Sequence, residues 1–231
     1  MTGDEALEIK NAAIAAVAQA LSSPVRLRVL GILAQAEHSV DALAEKIGQS
    51  RANTSAQLKV LSAAGLLASR KEGRRVFYRP ASERVPQLLG ALSDAAAELH
   101  AEMRDLVHTY FHLPERLDRK TVRELKRRVR AGEVVLVDLR PAEEHAAGHP
   151  SGAIHAPADA LDAHLDAIPA DREVVAFCRG RFCVVAEEGT RRLREAGLSA
   201  TNLGASPAHL MRFGYPAEAA LRLARVTKAS D

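Results

Sequence analysis

Two cysteines, held in Cys178-Arg179-Gly180-Arg181-Phe182-Cys183, are the only thiols in 231 residues. An apolar run, Glu173 to Phe177, precedes them, and a helix-like segment, Val184 to Ala196, follows. A strand that feeds a short loop opening a helix leaves several backbone N–H groups without intrahelical partners, free to point at a group carried on the first sulfur. Thiolate is the reactive form of cysteine, and a helix N-terminus with Arg179 and Arg181 alongside is expected to lower the pKa of Cys178. Cys178 is therefore the candidate nucleophile, and Arg179, Gly180, Arg181, Phe182 and Cys183 form the loop that would hold its substrate. The competing reading, a small buried hydrophobe, sits poorly with two arginines and a glycine.

The elements around the loop alternate strand and helix. Thr121 is placed to cap a helix, with Glu124 completing a capping box and Val122, Leu125 and Val129 forming an apolar edge. Val134 to Leu139 reads as a buried strand, Ala153 to His155 as another, Leu161 to Ile168 as a short helix and Ala200 to Leu203 as a closing strand. This is the pattern of an α/β layer with a central parallel sheet, whose ligand chemistry lies at the strand C-terminal ends.

The first half is organised differently. Ala6 to Leu21 spaces Ile9, Ala13, Ile14, Val17, Ala18 and Leu21 as a helical stripe to be buried. Ser22-Ser23-Pro24 starts a second helix, Ser39 caps a third that Gly48 stops, and Ser50 caps a fourth, through Leu61, apolar at Ala52, Ala56, Leu58, Val60 and Leu61. Two short helices joined by a tight turn make a helix-turn-helix. Leu67 to Lys71 and Arg75 to Arg79 flank Glu72-Gly73-Arg74 as a β-hairpin with a basic tip. Val85 to Phe111 continues as one long helical pattern whose apolar stripe, including Leu88, Leu92, Leu99 and Leu106, has little in a small domain to cover it.

Charge is distributed unevenly along the chain. Between Lys46 and Arg84 nine Lys/Arg stand against two acids, whereas from Val134 onward eleven basic residues meet thirteen acidic ones. A basic half and a mildly acidic half point to two domains with different partners. At 231 residues, 47% hydrophobic and 26% charged, the chain is long enough for two globular cores. Two closely spaced cysteines are no disulfide framework and suit a reducing compartment, so a cytoplasmic location is expected. Ala12 to Leu21 is too short to span a bilayer and follows Asp4, Glu5 and Glu8, where a signal peptide needs positive charge, so no membrane partner is expected.

The cysteine loop resembles the active-site loop of rhodanese-type sulfurtransferases. So do Val134-Val135-Leu136-Val137-Asp138-Leu139-Arg140 and the following Glu143, Glu144, His145, Gly148, His149 and Gly152-Ala153; the likeness runs from about Leu117 to Ala219. It departs at Pro150-Ser151, where the family usually has Ile-Pro, and in having no tryptophan near the C-terminus. The resemblance implies that Cys178 carries sulfur as a persulfide, with a small sulfur donor as substrate. Phosphatases and arsenate reductases share that fold and imply an oxyanion or redox site instead, but their longer loop closes with an arginine, where this chain has Val184. Cys183 keeps two readings, a packing residue at the helix start or a thiol that attacks the persulfide from within the same loop.

The helix-turn-helix and hairpin, through Ala52 to Leu61, Gly65-Leu66-Leu67 and Arg74 to Tyr78, resemble the ArsR-type family of dimeric winged-helix repressors over about Ala12 to Phe111. The likeness implies a homodimer on a palindromic operator in double-stranded DNA, with Ser50, Arg51, Asn53, Thr54, Ser55, Gln57 and Lys59 on or near the reading helix and Arg74 and Arg75 on the wing. Asn and Gln suit adenine edges, Arg guanine, and hydroxyls phosphates or bases. The first domain lacks the cysteines of the family's thiolate metal sites, and His108 and His112 alone are more readily a polar surface stripe, so no metal or cofactor is assigned. The expected organisation is a mainly α winged helix-turn-helix domain over 1–113 and an α/β rhodanese-like domain over 114–231. The function expected first is regulation of transcription with a sulfur-reactive loop; the alternatives are sulfur transfer with the first domain serving dimerisation, and a thiol redox or oxyanion sensor or reductase.

Overall fold

The computed structural model describes residues 1–112 and 117–218. They form two compact units that divide after Ala91. The boundary expected at 113/114, and the segment 219–231, lie outside the described residues.

The first unit runs α1 (Gly3–Leu21), α2 (Pro24–Leu33), β1 (His38–Ser39), α3 (Val40–Ile47), α4 (Arg51–Ala63), β2 (Leu67–Glu72), β3 (Arg75–Pro80) and the start of α5 (Arg84–Leu99). Its helix starts are capped from the sequence: the hydroxyls of Ser23, Ser39 and Ser50 accept the backbone N–H groups of Arg26, Ala42 and Asn53, each worth about 1 kcal/mol. Gly48 closes α3 in the left-handed region, φ 66°, which an ordinary side chain resists. β2 and β3 pair antiparallel with Glu72 opposite Arg75, leaving Gly73-Arg74 as the turn, and β1 joins the outer edge of β3. Val29, Leu30, Leu33, Leu43, Leu58 and Leu61 centre the core.

Two expectations change here, for α1 and for the long helix, and the structure adds which face of α4 is inward. Most of the α1 stripe is not buried: Ile9 is 63% and Ile14 61% exposed, and only its end meets the core, with Ala20 and Leu21 buried and Val17 packed against it. On α4 the inward face is Thr54, Leu58 and Leu61, while Ala52, Ala56 and Val60 face outward. The single helix read over 85–111 is two, α5 and α6 (Ala101–Thr109), because His100 adopts extended backbone angles, φ −100° and ψ 121°.

The second unit continues from α6 through α7 (Arg119–Arg130), β4 (Val134–Asp138), α8 (Ala142–Ala147), β5 (His149–Pro150), β6 (Ile154–His155), a 3-10 helix (Ala158–Ala167), β7 (Glu173–Phe177), α9 (Val184–Glu195), β8 (Ala200–Asn202), α10 (Pro207–Arg212) and β9 (Ala217–Glu218). Four strands form a parallel sheet in the order β6-β4-β7-β8, with Leu136 opposite Val175 and Val175 opposite Thr201. Period-two alternation divides the strand residues between two cores. Val135, Val137, Val174 and Ala176 pack with Leu161, Ala186 and Leu193, and Val134, Leu136, Val175 and Phe177 pack with Val122, Leu125 and Leu210. Burial on both faces is why β4 and β7 read as unbroken apolar runs. The α7 cap is Asp118, not Thr121: the Thr121 N–H donates to Asp118 Oδ1 at 2.7 Å and the Asp118 N–H to Thr121 Oγ1 at 2.8 Å. Glu124 is then free to bind Arg127. The helix expected over 161–168 is the 3-10 segment, kinked at Ala160.

Candidate functional site

β7 ends at Phe177 and delivers Cys178, fully buried, to the C-terminal edge of the sheet, and Cys183 stands at the cap position of α9. Between them Gly180 takes φ 150°, at the edge of the range that disfavours a side chain. The loop brings the two thiols within hydrogen-bonding reach of each other.

Their acidities are the reverse of the sequence expectation. The Cys183 thiol is pulled down to about 6, first by the hydrogen bond from Cys178, against the opposing effect of burial, and further by the backbone N–H groups of Arg179 and Ala186 and the Arg179 charge. The same hydrogen bond, together with burial and the negative charge on Cys183, pushes Cys178 up. Cys178 is thus the donor and Cys183 the resting thiolate. Arg179 contributes its charge, but its guanidinium is turned onto the buried Glu144 carboxylate, with contacts of 2.6 and 3.0 Å. Arg181 lies 5.9 Å from the Phe182 ring.

A buried network braces the neighbouring strand end. Arg140 clasps Asp138 at 2.6 and 2.9 Å and donates to the Gly148 carbonyl, all out of solvent. His145 Nδ1 lies 2.9 Å from Asp138 Oδ2, and its ring is stacked between those of His149 and His155, at 3.7 and 4.3 Å. Burial depresses the His145 pKa despite the carboxylate beside it. A cavity of about 350 Å³ opens next to the loop, with Leu139, Pro141, Val184 and Val185 among its lining and Arg179 and Arg192 at its edge. Its wall is tight at Gly189, where a Cβ would come within 2.7 Å of Leu139 Cδ1.

Sequence reasoning did not anticipate what packs on the loop from outside. Phe111, buried, meets the Phe182 ring edge-on at 5.8 Å and is itself met by Tyr110 at 5.1 Å. His112 Nδ1 is 2.7 Å from Glu187 Oε1, while the Asn202 amide donates to Glu187 Oε2 at 3.0 Å. Burial raises the Glu187 carboxyl, but those two partners outweigh it and hold it below the usual range. The segment that follows α6 therefore touches the residue just before Cys183 and a residue one helical turn after it. Each residue is ordinary alone; only the fold brings 111 to 182 and 112 to 187.

In the first unit the residues assigned to DNA divide. Arg51, Asn53 and Lys59 are exposed on α4, and Arg74 and Arg75 at the hairpin turn. Arg51 pairs with Asp41, and Asn53 exchanges side-chain hydrogen bonds with Gln49 and Gln57. Gln57, half-buried, accepts from Arg26 as well. Ser50 is held by its cap, Ser55 is half-buried, and Thr54 is turned inward with its hydroxyl donating to the Ser50 carbonyl. That corrects the placement of Thr54, whose side chain is withdrawn from the outer face.

Helix-turn-helix with basic hairpin, joined to a parallel α/β layer with a cysteine loop at its strand ends, defines a winged-helix regulator of ArsR type carrying a rhodanese-like domain. Helix-turn-helix domain family signatures match residues 21–70 and those of the Rhodanese-like domain residues 121–217. HTH-type transcriptional regulator Rv0324 of Mycobacterium tuberculosis (strain ATCC 25618 / H37Rv) is 41% identical over 184 residues, covering 80% of each chain. The chain belongs to this family of transcriptional regulators. Among solved structures, the homodimeric winged helix-turn-helix DNA-binding domain Mb0332 of Mycobacterium bovis is 36% identical, covering 44% of this chain and 91% of that one, with a TM-score of 0.38. The rhodanese-like domain of Anabaena Alr3790 is 23% identical, covering 48% and 85%, with a TM-score of 0.40.

Proposed function

We propose that the chain is a homodimeric repressor that binds a palindromic operator through α4 and the wing, and that its cysteine pair takes up sulfane sulfur and alters that binding. The observation that carries the reading is the grip of Phe111 and His112 on both sides of Cys183. A free-standing sulfurtransferase has no use for a segment from outside seated on its active loop, whereas a sensor needs one. The exposed leucines at 88, 92, 99 and 106 support pairing of two chains.

The chemistry assigned to the pair begins with transfer of the Cys178 proton to the Cys183 thiolate, which moves the negative charge to Cys178. That sulfur attacks the outer sulfur of a low-molecular-weight persulfide RSSH; the S–S bond of the persulfide breaks, RS⁻ leaves and takes the proton held on Cys183, and Cys178 carries S–SH. Cys183, again deprotonated, attacks the inner sulfur of Cys178, forming a disulfide and releasing HS⁻. Bridging would reposition Phe182 or Glu187, and so the Phe111-His112 segment that follows α6. An oxyanion site is disfavoured because Arg179 is committed to Glu144. Sulfur transfer as the main activity finds support in the cavity beside the loop.

The test combines intact-mass spectrometry with operator affinity after exposure to an organic persulfide. Wild type should gain sulfur or lose two protons and change affinity at least about fivefold, the low end of ordinary coupling; Cys178→Ser should do neither. Phe182→Ala should still react but leave affinity unchanged. An unchanged wild-type affinity after complete reaction would leave the loop an enzyme site alone.

A further inference from the structure

Helix α7 carries seven basic residues and one acid in a half of the chain that is otherwise mildly acidic. Its apolar face is closed, with Val122 and Leu125 buried and Val129 packed beside them. Two of its cations are satisfied: Arg127 binds Glu124 and Glu133, and Arg128 binds Glu173. Arg119, Arg123, Lys126 and Arg130 are different. They follow at steps of four, three and four, which aligns them along one face of the helix, a row of about 16 Å at 1.5 Å per residue. None of the four has an ion-pair partner among the described residues.

The row works against the helix that bears it. Like charges three and four apart repel, and Arg119 and Lys120 occupy the first turn, where the macrodipole favours acids and only the Asp118 cap supplies one. Arg130 in the last turn suits the macrodipole, but a face that had merely to stay hydrated would be more stable with a glutamate at Arg119 or Arg123. Sequence that opposes its own local stability marks a surface kept for another purpose.

We infer that this row is a second nucleic-acid contact, which meets the phosphate backbone of the duplex read by the first unit. The inference rests on the DNA-binding reading above. Duplex DNA carries one negative charge per about 1.7 Å of axis, and once α4 and the wing are engaged, the row meets it as part of the same molecule. An anionic membrane offers similar charge, but an interfacial helix must also insert an apolar face, and α7 has buried its own.

The experiment compares three full-length proteins on an operator duplex across salt: wild type, a variant with Arg119→Gln, Arg123→Gln, Lys126→Gln and Arg130→Gln, and one with the three arginines changed to lysine. Each phosphate neutralised by the protein adds about 0.9 to the slope of log affinity against log salt. If the row neutralises two phosphates or more, the wild type loses about tenfold more affinity than the glutamine variant between 50 and 200 mM salt. Sequence preference should not change, the lysine variant should keep the wild-type slope, and a cooperative melt of the glutamine variant confirms that it folds. Equal slopes for wild type and glutamine variant, or a slope that disappears on changing Arg to Lys, would overturn the inference and leave the DNA-binding reading standing. Sedimentation with phosphatidylserine vesicles that depends on the row, with DNA slopes equal, would overturn it in favour of a membrane. A wild type with no salt-dependent operator binding would remove both.

Discussion

Replacing Cys178 by alanine removes the largest influence on the Cys183 thiol, the hydrogen bond that holds its pKa at about 6 instead of the ordinary 9.0. At pH 7 a thiol of pKa about 6 is roughly nine-tenths thiolate, and one of pKa 9 about one-hundredth. The Arg179 and Ala186 N–H groups and the Arg179 charge stay in place, so the variant should fall between these limits. We expect its pKa to rise by at least about one unit, about 1.4 kcal/mol of diminished preference for the anion. A depressed thiol pKa means that Cys183 is charged in the wild type from about pH 6 upward, and the variant should remain protonated for at least a further unit. Rate at a single pH is a poor readout, since nucleophilicity rises as the pKa rises and offsets the smaller thiolate fraction. The assay is therefore the full pH profile of iodoacetamide labelling from about pH 5 to 10, spanning both limits, with the Cys183 peptide followed by mass spectrometry. In the wild type Cys183 should label first with a midpoint near 6, and Cys178 should lag. A wild-type midpoint near the ordinary 9.0, or the same midpoint in both proteins, would refute the assignment of donor and thiolate.

Three further outcomes are expected. Arg74→Ala with Arg75→Ala should weaken binding alike on all duplexes and flatten the salt slope by about 0.9 for each phosphate the wing no longer neutralises, whereas Asn53→Ala should alter sequence preference; normal binding by the wing variant at several salt concentrations would dismiss the wing. Leu92→Glu with Leu99→Glu charges a stripe exposed in the single chain, and at about 1.5–3 kcal/mol per buried leucine should weaken a dimer at least about 100-fold by sedimentation equilibrium; a monomeric wild type would defeat that reading. Gly189→Ala forces a methyl to within 2.7 Å of Leu139 and should cost about 1–3 kcal/mol in urea unfolding, a cost that an unchanged midpoint would deny.

What the sequence disclosed was whatever is decided locally. Ser39, Gly48 and Ser50 set the helix-turn-helix because caps and left-handed turns act over three or four residues, and doubly buried β4 and β7 announce themselves as apolar runs. The break at His100 carries no proline or glycine to betray it. Thr121 reads as a cap from the sequence, but its reciprocal bonding with Asp118 places it inside the first turn and Asp118 at the cap. The order of the thiol acidities is set by the hydrogen bond between the two sulfurs and by the burial of Cys178, neither of which the sequence displays, and Arg179 is shared with Glu144, 35 residues away in the chain. Contacts of that kind, like those of Phe111 and His112 with the loop, come from the assembled sheet.

An acidic Cys183 beside a protonated Cys178 bears on how selective such a signal can be. A thiolate ready for sulfur transfer is equally ready for peroxide, which would convert Cys183 to a sulfenic acid that Cys178 condenses with, expelling water and leaving the same disulfide. Persulfide and peroxide would then arrive at one product by different routes, told apart only by the sulfide that the first releases and the second does not. Measured sulfide and measured bridge should therefore be equal for one oxidant and unrelated for the other. Under the proposed reading, discrimination between them would not reside in the bridge itself but in access to the buried pair, which would make the walls of the loop the determinant of which oxidant reaches the DNA-binding half.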